Sequence, residues 1–174
     1  MTGQEFMRSV TNGEADIVRT MLDLLAEMDA SYCVIGGLAV NAYAEPVVSL
    51  DLDMIVVADN VEALCDLAHG RGLKVERFPH SVNLSSAQSD LRVQLQTDSR
   101  YQDFVARASD KNVLGYEMRV ARLEDVLQGK VWACLDATRR ASKRQKDLAD
   151  ISRIVEANPS LRDGLPPAVR ERLV

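Results

Sequence analysis

The stretch from Tyr32 to Val57 constrains this chain more than any other. A β-rich run, Tyr32–Ile35, stops at Gly36-Gly37, a short helix is expected over Leu38–Ala44, and a second strand over Leu50–Val57. The second run, LDLDMIVV, begins with strict alternation and ends in a continuous apolar stretch. Side chains alternate along a strand, so Asp51 and Asp53 share one face, about 7 Å apart. Glycines directly after a strand and before a helix leave backbone N–H groups free at the helix N-terminus, a natural cradle for a phosphate. Two carboxylates at this spacing can hold a hard cation such as Mg²⁺, and a metal there would bridge the phosphates of a nucleotide seated on the glycines. An exposed acidic strand after an ordinary glycine turn would give the same letters, and Asp-x-Asp alone says little. Strand, Gly-Gly, short helix and Asp-x-Asp entering an apolar strand together say much more.

Around this segment the chain alternates between strand and helix, then becomes helical. Apolar residues at helical spacing predict a helix over Glu14–Met28, and another over Val61–Ala68 ends at His69-Gly70-Arg71-Gly72. Strands are expected over Leu73–Phe78, Leu91–Thr97 and Glu117–Ala121, with a helix over Tyr101–Ala108. Helices over Leu123–Ala137 and Lys143–Ala157 follow, joined by a short basic link, and the tail from Asn158 allows one further helical turn. The expected fold class is α+β, a small mixed sheet flanked by helices with a C-terminal helical hairpin. One domain is expected over residues 1–174, with the sheet core at about 30–121 and the helical part at 122–174.

Composition narrows the class. With 47% apolar residues the chain can build a core, and no stretch approaches the ~20 apolar residues of a membrane span. MTGQEFMRSV has no apolar signal region. Cys33, Cys65 and Cys134 are scattered, which argues against a disulfide framework and a zinc site, and a reduced, cytoplasmic setting without a membrane partner is expected. His69 and His80 do not lie near each other, which argues against metal ligation by imidazole. Cys33, on an apolar strand, reads as core, and Tyr43 fits either a base-stacking or a packing role. The net charge of −5 hides an asymmetry: residues 1–118 hold 9 Lys/Arg against 18 Asp/Glu, and residues 119–174 hold 12 against 8. Much of the positive charge lies in Arg139, Arg140, Lys143, Arg144 and Lys146. Such a balance suits a site that holds a metal with one half and a polyanion with the other, and equally a solvated helix start.

VIGGLAVNAYAEPVVSLDLDMIVV resembles the first motif of the polymerase-β-like nucleotidyltransferase superfamily, and is most similar to its minimal and AbiEii-type toxin branch. The likeness continues in Leu123–Ala133, which resembles the family helix that offers a lysine, here Lys130, and in Lys146-Asp147-Leu-Ala-Asp150, which resembles the following KDxxD segment. The resemblance covers about residues 30–157. It implies Mg²⁺- or Mn²⁺-aided transfer of a nucleotide from an NTP such as ATP to a hydroxyl or phosphate of an RNA or protein acceptor, and a toxin's antitoxin-like partner. Gly36, Gly37, Ser49 and Lys130 would bind the nucleotide. Asp51 and Asp53 would hold the metal, and with Lys130 and Asp147 form the catalytic set.

On a helical wheel Lys130 falls within the apolar face of its helix, and Asp147 lies between Ile151 and Ile154 on the next. A buried lysine and aspartate need partners. They can form an ion pair that pins the hairpin, or serve a triphosphate. The chain departs from the family pattern at Val47 and Ser49, where many members carry Arg and Thr, and at a third carboxylate on a strand flanking Asp-x-Asp. Parity puts Arg92, Gln94, Gln96 and Asp98 on one face of Leu91–Thr97 and its continuation, so Gln94 takes the carboxylate's place and Asp98 is the candidate substitute. A reduced module that binds nucleotide or a protein partner without turnover is the alternative function.

Overall fold

The computed structural model describes residues 1–174. Seven strands form one mixed sheet in the order β3-β4-β5-β2-β1-β7-β6. Their ranges are β1 Tyr32–Ile35, β2 Asp51–Val56, β3 Lys74–Phe78, β4 Ser81–Ser86, β5 Ser89–Gln96, β6 Ser109–Val113 and β7 Tyr116–Val120. The helices are α1 Gly3–Val10, α2 Ile17–Glu27, α3 Gly36–Val40, α4 Val61–Gly70, α5 Leu123–Leu135, α6 Ala141–Ala157 and α7 Pro167–Arg170. Shorter 3₁₀ segments include Ser99–Arg107 and Pro159–Gly164.

The two most apolar strands take the middle. Cys33, Val34, Leu52, Met54, Ile55 and Val56 are fully buried, as expected of strands covered on both faces. β2 runs antiparallel to β1, with Ile35 opposite Asp53, and parallel to β5, with Asp51 opposite Arg92 and Asp53 opposite Gln94. β7 lies parallel to β1 on the other side. This register carries the end of β1, the start of β2 and the middle of β5 to one edge of the core. There α5 packs along α6 and both touch α3. The apolar faces expected for the hairpin are buried: Val126, Leu127, Val131 and Cys134 on α5, and Ile151, Ile154 and Val155 on α6. Trp132, on another side of α5, stacks on Phe104 at 5.8 Å and meets Tyr101 edge-on at 5.0 Å, fixing the 3₁₀ segment against the helix.

The expected elements are present, and the structure adds three. α1 starts with a capping box in which Thr2 Oγ1 accepts from Glu5 N and a Glu5 carboxylate oxygen accepts from Thr2 N. β4 has only Val82 and Leu84 as apolar markers, and β6 only Val113; both are strands because neighbours supply their hydrogen bonds. The helix after β1 starts at the glycines themselves and ends at Val40, rather than spanning Leu38–Ala44; residues 41–44 are turns. The expected helix over Tyr101–Ala108 is a 3₁₀ segment. The tail is more ordered than one turn: α7 docks on α5 with Leu165, Val169 and Leu173 buried. No helix is long and apolar enough to cross a membrane.

Candidate active site

Asp53 lies where β1 ends. Gly36 follows β1 with φ +72°, a left-handed conformation that L side chains avoid. A Cβ there would overlap the Asp53 carboxylate and come within 2.9 Å of its Cβ and Cγ. The glycine is therefore required twice, by conformation and by the approach of the aspartate. Burial pushes the Asp53 carboxyl above the usual range, assisted by the charge of Asp51 and opposed by Lys130 and Arg139. No hydrogen bond contributes to this balance.

Asp51, one alternation earlier, is paired with Arg92 Nη2 at 2.9 Å and Lys143 Nζ at 3.3 Å. Burial raises its carboxyl too, but Lys143 and Arg92 outweigh that effect and hold it below the usual range. Ser49 is turned onto the Asp51 backbone: its Oγ accepts from Asp51 N and lies 3.2 Å from Asp51 O, to which it donates. At Gly37 the nearest groups to a Cβ would be Asp150 Oδ2 and Ser49 Oγ, both at 3.7 Å, so this glycine is less confined.

A cavity of about 80 Å³ opens beside Asp53, lined among others by Gly36, Gln94, Lys130, Arg139 and Asp147. It shares Gln96, Tyr101, Ala133 and Arg139 with a groove of about 500 Å³ bordered by His80, Asp98, Arg100, Trp132 and Asp136. The Arg100 guanidinium lies 4.8 Å from the Trp132 ring centroid.

The wall formed by the hairpin is a buried ion network. Lys130 Nζ meets Asp147 Oδ1 at 3.0 Å and Asp150 Oδ2 at 2.7 Å, and Arg139 Nε meets Asp147 Oδ2 at 2.7 Å. Burial alone would lower the Lys130 pKa, but Asp150 and Asp147 outweigh it and keep the ammonium charged. Asp150 also pairs with Arg153 at 2.9 Å, and Arg153 reaches Asn41 Oδ1 at 2.8 Å and the Glu45 carbonyl. Asn41 makes two hydrogen bonds to the backbone of Val47. The hairpin thereby fixes the loop that leads into Asp51.

The structure thus brings together Gly36, Gly37, Ser49, Asp51, Asp53, Lys130 and Asp147. Of the two roles open to Lys130 and Asp147, the ion pair is present, and both residues also line the cavity. Gln94 stands beside Asp53 in register, as parity predicts. Asp98 does not replace the third carboxylate: it caps the 3₁₀ segment, pairs with Arg100 at 2.9 Å and faces the outer groove. Tyr43 is a packing residue whose hydroxyl donates to Ala121 O at 2.7 Å. Cys33 is buried core, its thiol pushed up to about 12 chiefly by burial. Arg139, Gln96 and Tyr101 line the cavity without having been singled out, and Arg92 and Lys143 emerge as partners of Asp51. For Arg139 and Lys143 the signal was the basic stretch, which gives no order among its members.

No protein-family model matches the chain, and no curated protein matches it. Solved structures do. The complex of ANT(2")-Ia with adenylyl-2"-tobramycin is 15% identical, aligned over 90% of this chain and 96% of that one with a TM-score of 0.62. The lincomycin-bound lincosamide antibiotic adenylyltransferase LnuA is 14% identical over 79% and 95%, with a TM-score of 0.56. An antigenic nucleotidyltransferase-like protein from Paracoccidioides brasiliensis is 13% identical over 99% and 95%, with a TM-score of 0.53. The mixed sheet with its helical hairpin is the nucleotidyltransferase fold.

Proposed function

We propose that this protein is a metal-dependent nucleotidyltransferase that moves a nucleotide from an NTP to an RNA or protein acceptor. The observation that carries the reading is the placement of Asp51 and Asp53 one alternation apart on one strand, with Asp53 beside the left-handed Gly36 and lining a cavity walled by Lys130 and Arg139. The residues suit a divalent ion. Asp53 is recessed against Gly36 and lines the cavity, where its carboxylate can face a cation. No cluster of three His, Cys, Asp or Glu side chains is present, but Mg²⁺ binds through one or two carboxylates, completed by water and substrate phosphates. A bound Mg²⁺ or Mn²⁺ would supply Lewis-acid polarisation of the phosphoryl oxygens.

The chain's own groups supply the rest. Asp51 and Asp53 would hold the metal, Gly36 leaves the space that the Asp53 carboxylate fills, and Gly36 and Gly37 would offer backbone N–H groups to a phosphate. Lys130 and Arg139 are fixed positive charges beside Asp53, suited to charge developing at phosphorus. The inner cavity shares Gln96, Tyr101, Ala133 and Arg139 with the outer groove, which would take the nucleoside and acceptor. In the reaction an acceptor oxygen attacks the α-phosphorus, loses its proton, and displaces pyrophosphate. The basic stretch Arg139–Lys146 supports an RNA acceptor, and the likeness to the AbiEii-type branch supports a toxin role with an antitoxin-like partner.

Gln94 favours a second reading, in which the protein binds a metal–nucleotide without turnover. It occupies the strand position beside Asp53, and a neutral amide cannot take a proton from a hydroxyl. The other cavity carboxylate, Asp147, is held by two cations. Label transfer separates the readings. The protein is incubated with each α-labelled NTP, Mn²⁺ and acceptor pools of RNA, protein and small hydroxylated antibiotics, the last because two similar structures hold such compounds. A labelled acceptor that disappears with Asp53→Ala supports transfer and names the acceptor class; Mn²⁺-dependent NTP binding without label supports the binding module. Neither label nor binding refutes both.

A further inference from the structure

The cations around the two aspartates fall into two groups. Lys130 is 8% exposed at its side chain and lies between two buried carboxylates, and Arg139 is bound to one of them. Lys130 cannot leave without taking a buried cation from both Asp147 and Asp150, and Arg139 cannot leave without taking one from Asp147. Lys143 and Arg92 are different. Their side chains are 30% and 61% exposed, each has Asp51 as its sole ion-pair partner, and both are long and flexible. They cover the carboxylate that the proposed function assigns to the metal.

On that reading, we propose that Lys143 and Arg92 are exchangeable counter-ions of Asp51 that pass to the triphosphate when a metal–nucleotide binds, so that metal and nucleotide bind interdependently. The physical argument is charge balance. A divalent cation arriving alone at Asp51 meets two positive charges within about 3 Å of the same carboxylate, and must push both into water. Arriving with a nucleotide, it brings phosphate oxygens that accept both displaced donors. Lys146, which also acts on Asp51 and Asp53 through space, extends the same positive rim. Lys143 and Arg92 would thus share phosphate binding with Lys130, which stays in place as a fixed charge. By thermodynamic reciprocity the factor by which metal tightens nucleotide is the factor by which nucleotide tightens metal.

The test uses the full chain and two probes. Mn²⁺ alone is titrated by electron paramagnetic resonance, and the α,β-methylene analogue of ATP is titrated in a calorimeter with EDTA or with saturating Mn²⁺. The native protein should bind Mn²⁺ alone weakly and bind the analogue at least tenfold more tightly with Mn²⁺ than with EDTA. Lys143→Gln should tighten Mn²⁺ alone at least threefold and weaken the analogue in Mn²⁺ at least threefold, with Arg92→Gln moving both in the same directions and Lys143→Arg restoring native values. These opposite signs are the signature, because a structural ion pair would move both affinities together or neither. Lys143→Gln and Arg92→Gln that leave both affinities unchanged, or weaken both, overturn the exchange while leaving the metal–nucleotide site standing. A native protein that binds neither probe overturns the site, and the exchange with it.

Discussion

Replacing Gly36 by alanine perturbs the site at its tightest point. At φ +72° an alanine is in the left-handed region, which costs about 1–2 kcal/mol for an L-residue. The new methyl also overlaps the Asp53 carboxylate, with Asp53 Cβ and Cγ at 2.9 Å. Rotating the carboxylate relieves the oxygen but not Cβ, and β2 cannot retreat because β1 and β5 bind it on both sides. Overpacking of this kind costs about 1–3 kcal/mol, so the total is about 2–5 kcal/mol. At about 2–4 °C per kcal/mol for a chain of this size, Gly36→Ala should melt about 4–20 °C below the native protein. Gly37→Ala is the internal control. Its nearest neighbours would be 3.7 Å from the new carbon, an ordinary van der Waals contact, and its φ is not in the left-handed region, so the change should stay within about 1 kcal/mol, as for a glycine-to-alanine change on compatible backbone. Thermal unfolding followed by circular dichroism measures both. Equal melting temperatures for the two variants would refute the argument, as would a Gly36→Ala protein that melts with the native one.

Other consequences of the same geometry can be measured independently. Lys130→Ala removes one of two cations from both Asp147 and Asp150, leaving Arg139 and Arg153 on them, and should cost about 1.5–3 kcal/mol in urea unfolding, whereas Lys143→Gln, on a partly exposed pair, should cost about 1 kcal/mol or less. Gln94→Asp restores a carboxylate beside Asp53 and should raise nucleotide transfer by about 10²-fold or more if a missing base limits it; unchanged label transfer would remove Gln94 as the explanation. With its thiol pushed up to about 12, Cys33 is protonated in the folded chain at pH 8, so its alkylation by iodoacetamide, followed by mass spectrometry, should keep pace with global unfolding. Because that pKa is raised on folding, its contribution to stability is complete below the unfolded thiol's value of about 8.5 and is lost as pH rises towards about 12; Cys33→Ala should flatten alkaline unfolding over that window.

Strong local patterns were readable in the sequence, and partnerships were not. The Gly-Gly turn, the apolar strand behind Asp51 and Asp53, and the inward faces of the hairpin all follow from period and composition; parity gave the face of Gln94, and the family resemblance put its strand beside the aspartates. β4 and β6 were missed because SVNLSS and SDKNV carry little apolar periodicity and owe their conformation to pairing. The roles of the cations were out of reach for a similar reason. A basic run shows where positive charge is, but only the tertiary fold, which brings the first turn of α6 to the start of β2, makes Lys143 a partner of Asp51 and leaves Arg139 on Asp147. Asp98 looked available because parity ignores capping; its carboxylate is used by Arg100 and the start of the 3₁₀ segment.

The most direct measurement is the anomalous scattering of Mn²⁺ in crystals grown with the α,β-methylene ATP analogue. The account predicts one strong peak in contact with both Asp51 and Asp53, phosphate density against Gly36-Gly37, and Lys143 drawn from Asp51 onto a phosphate oxygen. A peak elsewhere, or no peak with the Lys143–Asp51 and Arg92–Asp51 pairs intact, would contradict it.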